Sequence, residues 1–113
     1  MTPTMSVADT LRFAKTIISD PDKWVKGAFE REGKYCALGA LSVAAIGKPI
    51  YDGKGDTNYI RAYMCLLRSV SRAHAFTAKT GGVVGVNDAS THKSVMRWFD
   101  RASKLAEADA KAE

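Results

Sequence analysis

Residues 36–46, CALGALSVAAI, decide the fold. The stretch is almost entirely small and apolar, too long for an ordinary strand and rich in alanine, so it reads as a buried helix. Gly39 weakens that helix by about 1 kcal/mol relative to alanine without abolishing it. Gly47 is a natural C-terminal stop, with Pro49 just beyond it. A helix apolar on all sides needs cover on all sides, and the flanking sequence supplies amphipathic partners.

Upstream, Ser6 is a good N-cap, with Asp9 three residues later giving a box-like start. Val7, Leu11, Ala14 and Ile18 then recur at helical spacing, widened by Phe13 and Ile17, and predict a first helix from about Ser6 to Ser19. Asp20-Pro21 ends it, because a residue before proline avoids helical geometry. Trp24 follows on a short turn. The polar run Glu30-Arg31-Glu32-Gly33-Lys34, flanked by Phe29 and Tyr35, predicts a small hairpin.

Downstream, residues 47–56 read as a loop with a turn at Asp52-Gly53. Asp56 or Thr57 then caps a third helix expected to reach Lys79, with Ile60, Tyr63, Met64, Leu67, Val70 and His74 as its apolar stripe. Gly81-Gly82-Val-Val-Gly85 reads as a turn with at most a short extended piece. Asp88, Ser90 or Thr91 caps the last helix, whose stripe is Val95, Trp98, Phe99, Ala102, Leu105 and Ala106, and the tail from 106 to 113 should fray. The expectation is a mainly α fold: a compact bundle of about four helices with one short irregular or β-hairpin element, in a single domain of 113 residues.

With 46% hydrophobic and 26% charged residues, the composition is that of a chain able to build one core. The formal charge of +5 and pI near 9.4 tilt the partner class toward something acidic: a protein face, a nucleotide or a nucleic acid. Two cysteines, Cys36 and Cys65, are too few for a disulfide scaffold. The first nine residues lack a basic region leading into an apolar run, and no stretch approaches the ~20 apolar residues of a membrane span. A cytoplasmic location without membrane insertion is therefore expected. No cofactor or metal is expected. The glycines form neither a dinucleotide nor a P-loop pattern, Asp52 to Asp56 carries Lys54 where a calcium ligand belongs, and two histidines 18 residues apart make no zinc site.

Two constellations remain. Arg61, Arg68, Arg72 and Lys79 are spaced 7, 4 and 7 apart. On one continuous helix they would fall within about 40° of each other in a row about 27 Å long. No acid lies between Thr57 and Lys79 to neutralise them, so they form either a solvated face or a surface for phosphates and carboxylates. Tyr59 and Tyr63, near the row's start, either stack on a bound base or belong to the core. The second constellation is Cys36 at a helix start, with His92 and Asp88 near the start of the last helix. A thiol in the field of a helix N-terminus, an imidazole base and an orienting carboxylate are the parts of a cysteine-dependent hydrolase or transferase. Cysteine is equally a common core residue, and Asp88 and His92 are equally suited to capping.

Trp24 and Gly27, Cys36-Ala37-Leu38-Gly39-Ala40, Asn87-Asp88, Thr91-His92, Val95, Asp100 and Ala102 together give a W-x-x-G…C-A-L-G-A…N-D…T-H…V…D-x-A pattern. It resembles that of a family of small bacterial and phage proteins of unknown function, across roughly the first 46 and last 30 residues. The resemblance implies no activity. It does imply that Cys36 and the Asn87 to His92 segment belong to one recurring arrangement, either a shared site or a shared packing contact.

Overall fold

In the computed structural model, which describes residues 5–50 and 57–112, the first helix, α1 (Val7–Ile17), starts as its sequence requires. The Ser6 hydroxyl accepts from the Asp9 backbone N–H at 3.0 Å, satisfying one of the N-terminal donors that no helix can pair internally. A single 3-10 turn, Pro21–Lys23, follows, with the Asp20 carboxylate accepting from the Asp22 N–H.

The hairpin is present. Strand β1 (Glu30–Arg31) pairs antiparallel with β2 (Lys34–Tyr35), in the register Glu30 to Tyr35 and Arg31 to Lys34. Its two-residue turn, Glu32-Gly33, has both φ angles positive, as the primed turns that match strand twist demand. Helix α2 (Ala37–Ile46) is the predicted apolar helix, capped by Cys36 and closed by Gly47 in the left-handed conformation. The hairpin lies so close to it that a Cβ on Gly39 would sit 2.1 Å from the Phe29 carbonyl oxygen. Glycine there is a condition of the approach, which explains why a residue that weakens the helix stands inside it.

The expected helix from 57 to 79 is a correction. Helix α3 (Thr57–Arg68) stops early, a second 3-10 turn occupies Arg72–His74, and α4 (Ala75–Ala89) follows as two helical pieces that meet at Gly82. The cause is tertiary. Trp98 donates its indole N–H to the Leu66 carbonyl at 2.7 Å, and Arg101 donates Nε–H to the Ser69 carbonyl at 2.9 Å. In a continuing helix those two oxygens would accept from residues 70 and 73. The glycine-rich stretch expected as a turn does interrupt the helix: Gly82, at φ 64° and ψ −158°, is non-helical and marks the kink between those two pieces of α4. Only glycine visits that region freely, and a Cβ there would approach the Tyr63 hydroxyl to 3.1 Å. Helix α5 (His92–Ala112) is capped by Thr91, whose hydroxyl accepts from the Ser94 N–H, and continues past residue 106, where the tail's composition predicted fraying.

The amphipathic helices α1, α3 and α5 bury Leu11, Ala14, Ile18, Leu66, Val95, Trp98, Phe99 and Ala102 around Ala37, Ala40 and Leu41 of α2. The turn expected at Asp52-Gly53 and the cap expected at Asp56 lie outside the described residues. No helix among those described is long and apolar enough to cross a membrane.

Gly39→Ala should cost about 3 kcal/mol by overpacking and lower the melting temperature by on the order of 10 °C. Gly81→Ala has open space at its Cβ and should stay within about 1 kcal/mol of wild type, so thermal unfolding of the pair isolates the close approach.

Candidate functional site

Trp24, Val25, Ala37 and Asp88 meet around the side chain of Asn87, which is fully buried at the end of α4. Its Oδ1 accepts from the Trp24 indole at 2.6 Å and from the Ala37 backbone N–H, the first of α2, at 2.9 Å. Its Nδ2 donates to the Val25 carbonyl and to Asp88 Oδ1, both at 3.1 Å. Two of these partners are obligate donors and two are acceptors, so the amide orientation is fixed and all four of its hydrogen-bonding positions are used. Asp88 Oδ1 also accepts from the Gly27 N–H at 3.0 Å. Trp24, Gly27, Ala37, Asn87 and Asp88 thus form one polar knot joining the 24–27 segment, α2 and α4.

Cys36 and His92 border this knot, each engaged with backbone. Cys36, 1% exposed, accepts from the Gly39 N–H through Sγ at 3.3 Å. Burial pushes its thiol pKa above the ordinary 9.0, and the Asp88 carboxylate pushes it further up. Hydrogen bonds from the Gly39 and Leu38 backbones oppose the shift without overcoming it. Desolvation thus outweighs the helix N-terminus that the sequence reading credited with stabilising a thiolate. His92 shares a 2.7 Å hydrogen bond between Nε2 and the Ile18 carbonyl, and because a carbonyl can only accept, Nε2 carries the proton. Its ring lies 5.7 Å from the Trp24 ring. Among the described residues no hydrogen bond joins Cys36, His92 and Asp88 to one another. The structure brings the three into one neighbourhood, each held by a different backbone group.

The four cations expected in one row are distributed over three elements: Arg61 and Arg68 on α3, Arg72 on the 3-10 turn and Lys79 on α4. The termination of α3 breaks the row. Arg68 is compensated from outside its own helix, by Asp109 of α5 at 2.9 Å. Arg61 makes no ion pair among the described residues. Tyr59 is buried, on the core side of the alternatives. His74, expected on an apolar stripe, is half-buried beside Ser71.

Arg61 and Arg68 instead border a groove of about 880 Å³ between the start of α1, α3 and the last turns of α5, which sequence reasoning missed. Ile60 and Met64, each 48% exposed, belong to its apolar lining together with Val7, Ala106 and Ala110. Arg12 and Lys111 add positive charge, while Glu107 pairs with Arg12 and Asp109 with Arg68. Ile60 and Met64, expected on the apolar stripe of this helix, are a correction: α3 buries Tyr59, Ala62, Cys65 and Leu66 instead and turns that pair outward beside Arg61 and Arg68. Among the described residues, no three His, Cys, Asp or Glu side chains cluster to hold a metal ion.

Asn87→Ala should destabilise by about 3 kcal/mol or more, because it leaves the Ala37 N–H, the Trp24 indole and the Val25 carbonyl without their partner. In the native protein, iodoacetamide at pH 7.5 should label Cys36 far more slowly than in denaturant. Rapid native labelling that slows in His92→Ala would make it a nucleophile instead. The raised thiol pKa carries a sign. The Cys36 contribution to stability is complete below the unfolded-state pKa and is lost as pH rises through the folded one. Unfolding free energy should therefore fall above pH ~9, and less steeply in Cys36→Ala.

Neither a curated protein sequence nor a solved structure gives a significant match to this chain. A family model, described as a family of unknown function (DUF6197), matches residues 2–105. That span contains the whole Asn87 knot and all five helices except the end of α5, and the chain belongs to this family.

Proposed function

We propose that the protein is a small cytoplasmic accessory module, of bacterial or phage origin, that binds an acidic amphipathic helix of a partner protein in the groove between α1, α3 and α5. The observation that carries this reading is the exposed apolar pair Ile60 and Met64 beside Arg61, a cation with no ion-pair partner among the described residues. An apolar floor under a basic rim suits a helix with apolar residues on one face and carboxylates at its edges. A nucleic acid would use the positive charge but not the apolar floor, which makes protein the better fit. Of the groove's charged side chains four are basic and two acidic, consistent with the net charge of +5. The resemblance to bacterial and phage proteins supports the origin, and the basic composition supports the choice of an acidic partner.

The test is fluorescence anisotropy with a labelled helical peptide of about five turns, alternating leucine and glutamate faces, alongside a labelled single-stranded DNA of the same charge. The peptide should bind, and more weakly as salt rises. Arg61→Glu should weaken it at least about tenfold while leaving the melting temperature within a few degrees, since Arg61 is exposed. Met64→Glu should do the same from the floor. Tighter binding of the DNA, or a peptide affinity indifferent to Arg61, would overturn the reading.

A further inference from the structure

A second recess lies at the other half of α5. It measures about 170 Å³ and is enclosed by the Val70–His74 segment, the end of α4 and the first turns of α5. From α5 it takes Ser94, Arg97, Trp98 and Arg101, spaced 3, 1 and 3 apart, which puts them on one helical face. No acidic side chain lines it. Arg97 and Arg101, one turn apart, repel each other, and among the described residues neither has an ion-pair partner. The one carboxylate between them in sequence, Asp100, pairs with Lys15 of α1 at 2.7 Å.

The donors are held in place. Arg101 spends Nε on the Ser69 carbonyl, which anchors the guanidinium and leaves its terminal nitrogens to bind. The Ser71 hydroxyl lies 3.2 Å from Nδ1 of His74, and with that hydroxyl donating, Nε2 of the ring carries a proton to give. Ser94 Oγ makes no hydrogen bond among the described residues. We infer that this recess binds a phosphate dianion through Arg97, Arg101, His74 and Ser94: free phosphate or the phosphoryl end of a monoester. Two guanidinium forks with no competing carboxylate are the donor set that a tetrahedral dianion requires. Size fixes the class further. The volume equals about six waters' share of liquid, well below the ~300 Å³ at which sites for larger ligands begin. A phosphoryl group fits within the recess, and the remainder of a larger monoester would lie outside it. This site shares no residue with the groove and does not depend on the function proposed for it.

The experiment is a ¹H–¹⁵N NMR titration of the full chain with sodium phosphate, at constant ionic strength, with methyl phosphate as a second arm. Saturable shifts should appear at the amides of Ser71, His74, Ser94 and Arg97, with a dissociation constant on the order of 1 mM or below. Tighter binding of methyl phosphate would identify a monoester as the ligand, and equal or weaker binding would identify free phosphate. Arg97→Gln should weaken binding about tenfold or more, with the rest of the spectrum unchanged, and Arg61→Gln, outside the recess, should leave it unaltered. Shifts that stay linear through about 10 mM, or an Arg97→Gln affinity equal to wild type, would overturn the inference.

Discussion

The carboxamide of Asn87 is the contact on which the placement of α2 depends. An apolar helix buried from its first turn has a problem that hydrophobic burial cannot solve, because its leading N–H groups have no partner within the helix and no access to water. Ala37, wholly buried, donates to Asn87, and Gly39 donates to the sulfur of Cys36. A carboxamide has an acceptor for the helix and a donor for the Val25 carbonyl, so a single side chain satisfies backbone on both sides of it. A carboxylate at this position would lack the donor and bring a second negative charge beside Asp88. Trp24, Val25, Cys36 and Asn87 thereby supply the hydrogen bonds around the first turn of α2. The thiol at its border is a weak acceptor with an apolar body, suited to a helix start that must be both capped and dry.

Helix α5 organises the remainder. Its N-terminal half reaches to the end of α3 through Trp98 and Arg101, which take the carbonyls of Leu66 in the last turn and of Ser69 just beyond it, where the chain turns toward α4. Its C-terminal half holds Arg12 and Arg68 by ion pairs across the groove. These exposed pairs contribute little stability individually, about 0–1 kcal/mol each. Their effect is on placement: two of the groove's four cations are compensated and Arg61 is left to face solvent. The same break in α3 that separates Arg72 and Lys79 from the other cations creates the recess holding Arg97 and Arg101.

Most of the secondary structure could be read from local chemistry. Ser6, the Glu32-Gly33 turn, Gly47 and Thr91 are each placed by backbone requirements that act within four residues, and the stripes of α1 and α5 follow from helical periodicity. The exceptions share a cause. From Ile60 to His74 the stripe keeps helical spacing, and nothing in that segment reports that an indole and a guanidinium some 30 residues later will take its carbonyls. Gly39 looked like a flaw in a helix until the Phe29 carbonyl was found where its side chain would be.

The sequence by itself determined that the chain is helical, that residues 36–46 form an apolar helix whose first turns are buried, and that its surface carries excess positive charge, because propensity, periodicity and net charge are properties of residues and their near neighbours. Tertiary structure alone decided which charges remain unpaired and whether Cys36 sits as a thiolate or a thiol. Arg68 meets Asp109 across 41 residues and Asn87 meets Ala37 across 50. The desolvation that raises the Cys36 pKa comes from the segments folded over it. Long-range pairing and burial are sums over the assembled molecule, and no window along the chain contains them.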